Sequence, residues 1–90
     1  MDTSTLVPCK HVVFTDFEGG AGVLVDLNTK RYYRLNETAS LIWRALEKRA
    51  TPAQIVDQMA AEYDVTPEHA RSALVKLIQR LAANKLIKDA

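Results

Sequence analysis

Cysteine is nearly absent: Cys9 is the single one among 90 residues, so an internal disulfide framework is excluded and a reducing compartment suits the chain. The thiol reads as idle, in an N-terminal tail. Histidine is almost as scarce, with His11 and His69 alone, and neither stands at a zinc-like spacing from other ligand types. No metal and no cofactor are expected. Charge of one sign is lacking too, since 12 Lys and Arg face 11 Asp and Glu for a net +1. The overall field therefore does not steer the molecule toward polyanions such as duplex DNA. Long apolar runs are missing: Met1 to Lys10 carries neither a basic cluster nor a signal-like apolar stretch, and no later segment nears membrane-spanning length. A soluble, cytoplasmic protein without a membrane partner is the expectation.

Glycine occurs three times, all in Gly19-Gly20-Ala21-Gly22. That run has neither the lysine nor the hydroxyl of a phosphate-cradling loop, so it reads as a hairpin turn. What remains is ordinary globular composition, 48% hydrophobic and 26% charged, enough for one domain with one core. The reading places a flexible tail over residues 1–10 and a folded unit over 11–88.

Three short runs rich in β-branched and aromatic residues predict strands: His11 to Thr15, Val23 to Leu27 and Arg31 to Leu35. Turn formers separate them, the second connection being Asn28-Thr29-Lys30. An antiparallel meander follows from this. Beyond Leu35 the period becomes helical. Asn36 caps a first helix with Ala39, Ile42, Trp43 and Leu46 on one face. Thr51-Pro52 with Gln54 forms a capping box before Val56, Met59, Ala60 and Tyr63. Thr66-Pro67 starts a third helix carrying Leu74, Leu77, Ile78 and Leu81, and Asn84 offers a left-handed stop. Leu86 and Ile87 are expected to return to the core. The fold class is α+β, a winged helix-turn-helix with a three-stranded antiparallel sheet followed by three helices.

Catalytic chemistry finds no foothold. Ser40 and Ser72 sit inside predicted helices with no motif around them, Glu62 and Asp64 read as a solvated helix end, and His69 reads as a surface imidazole. The chain is not expected to be an enzyme. A DNA-binding regulator is the alternative the helix-turn-helix shape suggests, with Arg71, Lys76, Arg80, Lys85 and Lys88 as its cations. Yet the stretch Pro67-Glu68-His69-Ala70-Arg71-Ser72-Ala73 is acidic and small where a major-groove helix wants base-reading side chains. A structural subunit that docks a partner protein is a third reading. The third strand, Arg31-Tyr32-Tyr33-Arg34-Leu35, points elsewhere, because the last strand of a meander leaves one row of N–H and C=O groups unpaired. Two arginines and two tyrosines there suit an acidic, partly apolar extended peptide, although the same charges also protect an edge from aggregation.

Val23 to Leu27, the segment from Arg31-Tyr32-Tyr33-Arg34-Leu35-Asn36-Glu37-Thr38-Ala39 to Ile42-Trp43 and Leu46, and the later apolar positions Ile55, Met59, Tyr63, Val65, Leu74, Leu77, Leu81 and Leu86-Ile87 together resemble the PqqD-like family. These are small recognition elements serving enzymes that modify ribosomally made peptides. The resemblance implies a non-catalytic domain that holds the leader of a precursor peptide as an added strand and presents it to a modifying enzyme, such as a radical SAM enzyme or a leader peptidase. Carried over by position, Arg31, Tyr32, Tyr33, Arg34 and Leu35 form one wall of the peptide site, and Arg71, Leu74, Val75 and Ile78 the other. The text Thr29-Lys30-Arg31-Tyr32-Tyr33-Arg34 departs from the pyrroloquinoline quinone namesakes and is closer to free-standing proteins of lasso-type or other peptide clusters. Self-association as a homodimer is left open by the sequence.

Overall fold

In the computed structural model, which describes residues 6–89, the strand-forming runs and capped helices follow one another in the expected order, with a short strand added at each end. The elements are β1 (Leu6–Pro8), β2 (Val12–Asp16), β3 (Gly22–Asp26), β4 (Arg31–Leu35), α1 (Glu37–Glu47), α2 (Pro52–Tyr63), α3 (Pro67–Ala83) and β5 (Ile87–Asp89). β2, β3 and β4 form an antiparallel sheet in that spatial order, and β1 pairs with β5 in a separate antiparallel ribbon.

Register places the meander's apolar residues on one face. Phe14 lies opposite Leu24, and Leu24 opposite Tyr33, while Gly22 faces Leu35. Alternation then sends Val13, Val25 and Tyr32 to the other face, where Tyr32 is exposed. Gly22 is required in this arrangement: a Cβ there would collide with the Phe14 ring and stand 2.8 Å from the Thr15 carbonyl oxygen. The β2–β3 connection turns through Gly19 and Gly20 at φ 81° and 87°, closed by the Phe17 N–H donating to the Ala21 carbonyl at 2.8 Å. In the β3–β4 connection the left-handed residue is Lys30, and the buried Asp26 carboxylate accepts the N–H groups of Asn28 and Thr29 at 2.9 and 3.2 Å.

All three helix starts are capped as the sequence expects. Asn36 accepts from the Ala39 N–H, Thr51 and Gln54 cap each other reciprocally, and Thr66 accepts from the His69 N–H. The buried core gathers Leu24 and Leu35 from the sheet, Ile42, Trp43 and Leu46 from α1, Ile55, Val56 and Met59 from α2, and Leu74 and Leu81 from α3. Leu86 and Ile87 join it, as expected.

Four expectations shift. Leu6 to Pro8 of the expected tail is a strand, held in place because Leu6 is 1% exposed and Cys9 N–H donates to the Leu86 carbonyl at 2.9 Å. The remainder of that tail, residues 1–5, lies outside the described residues. Lys88 and Asp89, near the expected end of the folded unit, belong to β5. His11 precedes β2 instead of opening it; its carbonyl accepts the Leu27 N–H at 2.8 Å and its Nε2 stands 3.8 Å from Asp26 Oδ1. After α3 the left-handed residue is Lys85 at φ 59°, one position past Asn84, whose side-chain amide donates to the Arg80 carbonyl.

Candidate functional site

β4 is the outer strand of its sheet. Among the described residues it pairs with β3 alone, so alternate N–H and C=O groups along Arg31 to Leu35 face outward without a strand partner. Beside this end of the sheet runs an open groove of about 770 Å³. Arg34, Leu35 and Asn36 supply one side, continued by Thr38, Ala39 and Ile42 at the start of α1; Met59, Tyr63 and Val65 close the α2 end, and α3 supplies the opposite wall.

The wall on α3 is set by helical geometry. With Ala70, Leu74 and Leu81 buried in the core, the row that lines the groove is His69, Ala73, Lys76, Leu77 and Arg80, spaced at i, i+4, i+7, i+8 and i+11. Ala70 and Ala73 are small enough to keep the helix from filling the space. Leu77 and Ile42 give it an apolar lining, and Met59 adds an adaptable one.

At one end the Tyr63 phenol borders both this groove and a polar cleft between α1 and α2. Its pKa is pushed above the ordinary phenol value, first by burial and then by the Glu37 and Glu62 carboxylates, with Arg44 opposing. The hydroxyl is thus a neutral donor at neutral pH. Arg44 itself braces the β2–β3 connection, donating to the Gly20 carbonyl at 3.3 Å and lying 3.6 Å from Asp16 Oδ1. No group of three or more potential metal ligands converges among the described residues.

The residues expected at the site divide. Arg34 and Leu35 line the groove. Tyr33 is half-buried against the core, and Arg31 and Tyr32 are exposed on the strand without lining the groove. On α3 the expected row is largely not the one presented. Leu74 is 2% exposed and belongs to the core, Ile78 is half-buried against that core, and Arg71 and Val75 line a second, shallow depression with Glu68, Gln79 and Lys76, the lysine also bordering the groove. Among the lining residues missed are His69, Ala73, Lys76, Leu77 and Arg80 of α3, Met59 and Tyr63 of α2, Ile42 of α1, and Phe17, Ala21 and Gly22 at the β2–β3 connection. A signal was available: once Leu74 and Leu81 are fixed as core, the neighbouring i+3/i+4 row through Ala73 and Leu77 is one of two rows that flank it.

A family model described as Coenzyme PQQ synthesis protein D (PqqD) matches residues 21–87. Two solved structures share the fold. TbiB1 in complex with the TbiA(beta) leader peptide is 30% identical, with a TM-score of 0.84 over 91% of this chain and 94% of that one. A lasso peptide synthetase B1 complexed with the leader peptide is 25% identical, with a TM-score of 0.84 over 94% of this chain and 99% of that one. Comparison with curated proteins gives no match.

Proposed function

The chain belongs to the PqqD family, and from that premise we propose that it binds, without catalysis, the leader region of a ribosomally made precursor peptide and presents it to a separate modifying enzyme. The observation that carries this reading is the unpaired outer edge of β4 beside a groove walled by α3. An extended guest gains main-chain hydrogen bonds from the edge, whatever its sequence, and its alternate side chains reach the groove for selectivity. Backbone pairing alone exchanges bonds with water at small net gain, so the apolar lining from Ile42, Met59 and Leu77 supplies the burial that makes binding useful.

Two solved relatives of nearly the same length carry leader peptides, which supports a lasso-type pathway with a leader peptidase as the catalytic partner over pyrroloquinoline quinone synthesis. A reducing cytosol is the compartment this role implies. The DNA-binding alternative is not favoured, since the α3 cations Lys76 and Arg80 share their row with Ala73 and Leu77 in a groove instead of standing on an open basic face. Titration of isotope-labelled protein with the leader of a short precursor encoded beside this gene tests the proposal. Amide shifts should concentrate in Arg31 to Leu35 and in the Ala73 to Arg80 row. Changes confined to other surfaces, or none at saturating peptide, would refute it.

A further inference from the structure

Resting on that reading, we propose that the groove selects an acidic leader segment, one with carboxylates at alternate positions of an extended stretch that face Lys76 and Arg80. The ionisable residues that border the groove are Arg34, Lys76, Arg80, the His69 imidazole and the Tyr63 phenol, and no Asp or Glu does. This is segregation in a chain whose 12 basic and 11 acidic residues nearly cancel.

Other concavities lack it. The neighbouring depression on α3 sets Glu68 against Arg71 and Lys76, the lysine being shared with the groove, and the cleft between α1 and α2 sets Glu37 and Glu62 against Arg44 and Lys48. Nor are the groove's cations committed within the fold, because among the described residues the ion pairs are His11 with Asp26 and Arg44 with Asp16. A ligand of opposite charge is what this arrangement leaves to be supplied.

Spacing sharpens the assignment. Lys76 and Arg80 are one i,i+4 step apart, about 6 Å along the helix axis at ~1.5 Å per residue. Side chains on one face of an extended peptide repeat every second residue, at about 6.6 Å. A pair of Asp or Glu residues separated by one position therefore matches the two cations, and apolar side chains of the same strand meet Ala73 and Leu77. The row from His69 to Arg80 spans roughly 16 Å, which an extended segment of about five residues covers.

Selection of random dodecapeptides displayed on phage against the immobilised full chain tests this. Enriched sequences should carry Asp or Glu at alternate positions, and replacing those two residues by Asn or Gln in a synthesised peptide should weaken binding about tenfold at low salt, the sum of two exposed pairs. The advantage should shrink at high ionic strength. In the Lys76→Glu, Arg80→Glu double variant, both sites being solvent-exposed, the ratio of acidic-peptide to amide-peptide affinity should fall to one or below. Enriched peptides that map to the groove without acidic bias, or a bias that survives in the double variant, overturn the charge selectivity and leave leader binding standing. Failure to enrich any peptide at the groove overturns both.

Discussion

Trp43 is wholly withdrawn from solvent, and its indole Nε1 has no hydrogen-bond partner among the described residues. Its contribution is therefore contact, not hydrogen bonding. Trp43→Ala should cost about 3–5 kcal/mol, a large part of the ~5–15 kcal/mol of a small domain. A urea melt followed by far-UV circular dichroism measures it, and an unchanged midpoint would contradict the assignment. Asp26 acts by a different route. Burial raises its pKa, but the N–H groups of Thr29 and Asn28, the Thr29 side chain and nearby His11 outweigh this and leave it lowered. A depressed folded value means that the carboxylate stabilises the fold above its unfolded pKa of ~3.9, and that this is lost as pH falls through the folded value. Asp26→Asn should accordingly be less stable than the parent at pH 7, with the difference narrowing below about pH 4. Equilibrium unfolding across that range checks it. The aspartate was legible as the next-to-last residue of a strand run; its burial was not, because that depends on how the turn to Lys30 closes.

Among the elements, the helices were read most fully, since each start is fixed by residues three positions apart. Thr66→Ala removes the acceptor for the His69 N–H at the head of the helix that walls the groove. The loss should be about 0.5–2 kcal/mol, with Thr66→Ser restoring most of it in the same thermal melt. The strands were legible to within a residue for the same local reason. The groove was legible in half. Arg34 and Leu35 follow from β4 being last in its sheet, whereas the α3 row depends on the helix's rotation about its axis. Periodicity puts Leu74 and Leu77 on one stripe, and only the packing of α3 against α2 and β5 shows Leu74 buried in the core and Leu77 half-buried at the groove.

At the scale of the whole molecule, the part that sequence did not reveal is the ribbon of β1 and β5. Its strands are three residues each, too short to show a period, and they join positions near opposite ends of the chain. Leu6 nonetheless sits in the core with Leu86 and Ile87. Removing residues 1–8 should destabilise the domain by at least the ~1.5–3 kcal/mol of one buried leucine, seen as a lower melting temperature. If the shortened chain melts with the parent, β1 is an ornament.

The same ribbon sets Leu6 opposite Asp89, so the first and last described residues stand side by side. From Leu6 to Asp89 the backbone is in effect a ring with a single cut. A linker joining Leu6 to Asp89 could move the cut to another loop without reordering a strand or a helix.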